Sequence, residues 1–209
     1  MKMLIRQLVA GLAATLAALV PASAVHAAVA DASAADATLD GRPADAFVFK
    51  SGWNPHAGRH GNTSGFDTAF APYGSGAWTL LDKYDHRAGF LNLGQLQFTF
   101  SESTTTAGLW SVTNTSATTA ITLDLAFAIH AGSPGAAWLF DDATLLPGQT
   151  FDGSWQVRWT NRAGDPPDFS TLALFGRDTV LTPVPEPGVW GMLGVGLGVL
   201  FLRRREEED

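Results

Sequence analysis

Three stretches of this chain alternate apolar and polar residues with a period of two. Leu96, Phe98 and Phe100 alternate with Gln95, Gln97, Thr99 and Ser101. Leu123, Leu125, Phe127 and Ile129 alternate with Thr122, Asp124, Ala126 and His130, and Trp155, Val157 and Trp159 with Gln156, Arg158 and Thr160. Successive side chains of a strand point to opposite faces, so the pattern asks for strands with one buried face and does not suit a helix. Shorter apolar segments at 46–50, 78–82, 109–113, 137–140 and 172–174, the last joined by Val180, read as further strands. Clusters rich in Gly, Asn and Pro separate them, notably 52–65 (GWNPHAGRHGNTSG) and 161–168 (NRAGDPPD). Nothing in the middle of the chain sustains a helical i, i+3, i+4, i+7 pattern. Seven to nine short strands punctuated this way predict an all-β domain, a β-sandwich or jelly roll. Residues 28–39, rich in Ala and Asp, read as a loose leader, and 179–187 as a Pro-rich linker.

Composition narrows the function classes. Residues 28–187 carry eight Lys/Arg against 16 Asp/Glu. That acidic balance repels phosphate backbones, so nucleic acid is disfavoured as a partner, and anionic membranes with it. The chain has no Cys, which excludes disulfides, thiolate metal sites and a Cys nucleophile. Stability must come from packing, for which seven Trp and 13 Phe supply the material.

The two ends carry addresses. Lys2 and Arg6 precede an apolar run at 8–20; Pro21 breaks it, and small residues follow. This is the tripartite pattern of a secretory signal peptide (1–27), with a cut expected after Ala27 and alternatives after Ala24 and Ala30. At the other end Pro185-Glu186-Pro187 is followed by an apolar run at 189–202 and by Arg203, Arg204 and Arg205. As a helix, that run spans roughly 21 Å against a hydrocarbon core of about 30 Å. It contains Gly191, Gly194, Gly196 and Gly198, so it is short and glycine-loosened for a permanent anchor. Arginines after a span stay cytoplasmic, which agrees with an exported N-terminal portion. A plain anchor paired through Gly194 and Gly198 is the alternative.

Residues 183–205 resemble the PEP-CTERM sorting tail: the Pro-Glu-Pro motif, the glycine-rich span and the basic cluster occur in that order. The departure is Glu206-Glu207-Glu208-Asp209 after the arginines. The resemblance implies that Pro185, Glu186 and Pro187 are read by an exosortase, a membrane-embedded cysteine protease. It implies a chain held briefly at the inner membrane of a Gram-negative bacterium, then released or attached at the cell surface or in the extracellular matrix. The partners so implied are signal peptidase, exosortase and exopolysaccharide. The organisation expected is a signal peptide (1–27), a β-sandwich ectodomain (28–183) and the sorting tail (184–209).

No catalytic motif stands out in the middle, so the expectation is a non-enzymatic exported protein, with no catalytic residue and no metal site assigned. A carbohydrate-binding module or adhesin is the alternative, with Trp53 in its polar loop as the candidate glycan contact. A polysaccharide-active hydrolase ranks below both. His56 and His60, spaced H-x3-H, and His86 could ligate a metal, but Pro55, Gly58 and Gly61 oppose the helix such spacing needs. Asp82 with Asp85, Asp141 with Asp142, and Asp165 with Asp168 could hold a structural Ca²⁺, although turn formation accounts for acids in such places.

Overall fold

Ten strands occur among the described residues, which in this computed structural model are 32–184 and, singly, Met192, Val195 and Leu197. The expected signal peptide, the Pro185-Glu186-Pro187 motif and the Arg203–Arg205 cluster lie outside them. Among the described residues no helix is long and apolar enough to cross a membrane. In chain order the strands are β1 (Thr38–Leu39), β2 (Arg42–Pro43), β3 (Ala46–Lys50), β4 (Thr79–Tyr84) and β5 (Leu96–Thr104). They continue as β6 (Ala107–Asn114), β7 (Thr119–Ala131), β8 (Gly135–Leu145), β9 (Thr150–Gln156) and β10 (Phe169–Pro183). One helical turn, α1 (Asp67–Phe70), lies between β3 and β4.

A five-stranded antiparallel sheet, ordered β3-β8-β7-β10-β4, faces a three-stranded sheet, β5-β6-β9. The fold is thus all-β and sandwich-like. Between the sheets, Phe98, Trp110, Val112 and Trp155 meet Leu123, Leu125, Phe127, Ile129, Trp138, Leu172 and Leu174 in one core cluster. Phe98, Trp155, Leu123, Leu125, Phe127 and Ile129 are apolar positions of the alternating stretches; Trp110, Val112, Trp138, Leu172 and Leu174 come from the shorter apolar segments.

The third stretch is displaced from expectation. Trp155, Val157 and Trp159 are all buried, but β9 runs over Thr150–Gln156 and the chain leaves the ladder before Trp159. Alternation reported burial correctly and hydrogen bonding incorrectly, because an extended segment laid on the core also alternates.

The expected loose leader is also corrected. Ala37 and Leu39 are buried, and Asp40-Gly41, both at positive φ, turn β1 into β2. That conformation suits the Asp-Gly pair of a tight hairpin. Thr38 ties this strap to β9: its backbone oxygen accepts from Trp110 Nε1 at 3.1 Å, and its hydroxyl accepts from the Ser154 N–H at 3.0 Å. Residues 34–44 thus close the flank between β9 and β3.

The large sheet is buried on both faces. Its outer face is floored by Ala126, Ala128, Ala137 and Ala173, with Leu139 and Phe175. The long β3–β4 connection covers that floor with Trp53, Phe66 and Phe70. Phe66 is the hub, with ring centroids 5.8 Å from Trp53, 5.1 Å from Trp78 and 5.2 Å from Phe175. The Trp53 ring lies flat between glycines: a Cβ on Gly65 would sit 2.2 Å from it, and one on Gly135 would sit 2.6 Å away. Trp53→Ala therefore removes the cover's main wedge. It should cost about 3 kcal/mol in a urea titration with the far-UV spectrum retained, whereas a cost below about 1 kcal/mol would show a loosely seated cover.

Candidate functional site

Where β7, β8 and β10 run side by side, all three depart from regular pairing at one level. Register shifts fall between Leu123 and Leu125 and between Arg177 and Val180. Asp142 and Asp178 there have φ of 48° and 50°, a left-handed conformation that Asp tolerates better than most residues. The bulges bring Asp124, Asp141, Asp142, Arg177 and Asp178 together.

At the centre is a buried ion pair. Arg177 Nε donates to Asp124 Oδ2 at 2.8 Å, with both side chains at most 3 % exposed. Another guanidinium nitrogen donates to the Phe70 carbonyl at 2.8 Å, and the guanidinium lies 4.4 Å from the Trp78 ring centroid. A carbonyl at the end of α1 and an aromatic face thus supply what water would otherwise give. The chain at Gly74 passes close over the pair: a Cβ there would sit 2.7 Å from Asp124 Oδ2 and 2.3 Å from Asp178 Oδ2.

Asp141 lies beside Asp124 without a cation of its own. Its pKa is pushed up to about 6, first by burial, then by the Asp124 charge and a hydrogen bond to Asp124, with Asp142 and Asp45 adding like charge. Asp141 Oδ1 has no other hydrogen-bond partner and is shut from solvent. A proton on Asp141, donated to Asp124, satisfies both observations. The Asp141 backbone N–H donates to Asp45 Oδ2 at 2.8 Å. Next to this cluster is a hollow of about 420 Å³, lined by Arg42, Asp45 and Asp141 over Leu39, Pro43 and Phe140.

The candidate residues read from sequence are placed differently. Trp53 is 3 % exposed, and its Nε1 donates to the Asn62 carbonyl at 3.1 Å. Its ring presents no free face for stacking on a sugar, so the expected glycan contact at Trp53 is withdrawn. Trp110, Trp138, Trp155 and Trp159 are likewise buried, each donating its indole N–H to a backbone carbonyl. His56 is half-buried and its pKa is lowered by burial and by Lys83, while His60 is exposed. His86 Nδ1 lies 3.2 Å from Glu102 Oε1. Among the described residues no group of three or more His, Asp or Glu is arranged to hold a metal ion. The Asp82 carboxylate accepts the backbone N–H groups of Lys83, Leu91 and Asn92, and that of Asp85 accepts those of Arg87 and Ala88.

Sequence reasoning missed Asp124 and Arg177. The signal was present: an acid inside the apolar strand T-L-D-L-A-F and a base inside L-F-G-R-D. Charges at such positions are rarely buried without a partner. Comparison with known proteins adds no relative: no family model, no curated protein and no solved structure matches the chain.

Removing one partner of the buried pair strands the other. Arg177→Met should cost roughly 3–5 kcal/mol by urea titration, and adding Asp124→Asn to it should recover part of that loss. Asp141 sets a pH dependence. Its folded pKa of about 6 lies above the ordinary 3.8, so folding takes up a proton between those values. The stability it contributes is present at acid pH and is lost as pH rises through about 6. Asp141→Asn keeps a donor to Asp124, so it should raise Tm at pH 8 and flatten the Tm change between pH 5 and 8. A wild-type Tm flat over that range would refute the shared proton.

Proposed function

We propose that this chain is an exported, non-enzymatic surface or matrix protein: a sandwich ectodomain between a cleaved signal peptide and a C-terminal PEP-CTERM tail. An exosortase removes the tail, and the mature domain works at the surface or with exopolysaccharide. The observation that carries this reading is the order of signals in one chain: export pattern, domain, Pro185-Glu186-Pro187, short glycine-rich span, Arg203-Arg204-Arg205. The fold is compatible with it. Val184 donates its N–H to the Thr118 carbonyl at 2.7 Å, so the motif begins one residue beyond a paired strand.

The non-enzymatic part is supported by how the carboxylates are engaged. Asp124 is held by Arg177, and Asp141 is hydrogen-bonded to Asp124. Glycoside hydrolysis sets two carboxyls about 5–9.5 Å apart with the sugar between them, and two carboxyls bonded to each other leave no such gap. A second reading has one specific observation in its favour. The hollow at Arg42, Asp45 and Asp141 offers acceptors and a donor over an apolar floor, the make-up of a small-ligand site. A carbohydrate-binding role therefore moves from Trp53 to this hollow, and glycan-array binding lost on Asp45→Ala would favour it.

Mass spectrometry of the mature protein from its native host tests the leading reading. The expected product starts near Ala28 and ends near Pro187. A product in the envelope that retains Asp209 would replace the sorting tail with a plain anchor.

A further inference from the structure

The β4–β5 connection presents two leucines to solvent, Leu91 at 67 % and Leu93 at 88 % exposure, from a firmly built loop. Buried Asp82 accepts the N–H groups of Leu91 at 3.3 Å and Asn92 at 2.7 Å. Asn92 has a φ of 51°; its side-chain oxygen accepts the Phe98 N–H at 2.7 Å, and its amide donates to the Phe98 carbonyl at 3.1 Å. Phe90 packs inward, its ring centroid 5.4 Å from Tyr84 and 5.7 Å from Phe98. Inward Phe90 and clamped Asn92 leave the two leucines directed outward. A fixed loop that exposes its largest apolar side chains is suited to an apolar environment outside the domain.

The surroundings extend the patch. A hollow of about 250 Å³, lined by Leu81, Leu96, Phe98 and Ile121, lies beside Gly94 and reaches Leu181, itself 55 % exposed. A second hollow, of about 190 Å³, shares Leu81 and sets Arg59 and Lys83 next to Leu91 and Leu93. The Lys83 ammonium donates to the carbonyls of His56 and Gly58, so exposed Arg59 is the cation available to a phosphate group. Asp82 lines the same hollow, but its carboxylate is taken up by the N–H groups of Lys83, Leu91 and Asn92, which leaves the Arg59 guanidinium beside the leucines.

The chain's exit identifies the occupant. Thr115 N–H donates to the Gln95 carbonyl at 2.8 Å, and Val184 N–H donates to the Thr118 carbonyl at 2.7 Å. Gln95 at the foot of the leucine loop, the 115–118 turn and the exit at Val184 therefore share one end of the sandwich, and the hollow that runs from Gly94 to Leu181 joins that end to the flank carrying Leu93 and Leu91. Only residues 185–188, at most about 14 Å of extended chain, separate that end from the apolar run at 189–202. We infer that this end docks on a phospholipid bilayer, with Leu91 and Leu93 entering the headgroup–acyl boundary and Arg59 facing lipid phosphate. The choice of a bilayer as occupant rests on reading 189–202 as a membrane segment.

The test uses the full-length chain, whose lack of Cys permits single labels. Leu93→Cys, Val195→Cys and Ala163→Cys, the last on the β9–β10 loop, each carry a polarity-sensitive fluorophore. Each is mixed with vesicles of phosphatidylethanolamine and phosphatidylglycerol containing a lipid-borne quencher. The expected result is a blue shift and loss of emission at positions 93 and 195, no change at 163, and weaker quenching at 93 when Arg59→Ser and Leu91→Ser are added. Quenching at 195 with none at 93 overturns the docking and leaves the tail reading intact. Quenching at 93 without 195 upholds the docking and removes the tail reading, and quenching at neither overturns both. A concentration-dependent blue shift at 93 without lipid marks self-association and also overturns the docking.

Discussion

One buried charge pair ties together parts of this molecule that are distant in sequence. Asp124 sits in β7 and Arg177 in β10, and the guanidinium also holds the Phe70 carbonyl of the cover. A lone buried charge is heavily penalised, so neither residue can keep its place unless the bulges and the cover form together. The pair thereby fixes which carbonyl and which ring lie against the guanidinium. An apolar replacement of both residues would lose the hydrogen bond to the Phe70 carbonyl.

The interior between the sheets was legible because the apolar half of each alternating pattern, Leu96, Phe98 and Phe100 and then Leu123, Leu125, Phe127 and Ile129, is the half that packs there. The outer face of the large sheet was harder to read. Ala126 and Ala128 occupy the polar half of the alternating pattern, and alanine is too small to signal burial by itself. Their meaning depends on Phe66 and Phe70, more than fifty residues away and embedded in a stretch rich in Gly, Asn and Pro. Turn-forming residues describe the path of such a connection; they do not report that its aromatic residues point down onto a sheet. The misplacement of Trp53 has that origin, since a tryptophan in a polar loop is ambiguous until the surface beneath the loop is known.

The acidic residues show the same division. Asp85 serves a local turn, as its neighbours suggested, whereas Asp82, inside β4, holds the N–H groups of Leu91 and Asn92 in the connection that follows. Asp141 could not be understood locally, because its shifted titration arises first from burial, then from Asp124 across the β7–β8 ladder, with Asp142 and with Asp45 just before β3 adding like charge. A perturbed carboxyl beside a hollow invites a catalytic reading on its own; here the perturbation has a structural source in the neighbouring Asp124–Arg177 pair.

β10 runs from Phe169 to Pro183 and is paired with β7 nearly throughout, and its last residues lead directly into the tail. Any tether joined beyond Val184 would pull along this strand and parallel to its axis. Under such tension the β7–β10 hydrogen bonds are sheared together, whereas a pull across the strand would unzip them one after another. A tether so placed would load the antiparallel sheet in the direction in which it best resists mechanical extraction.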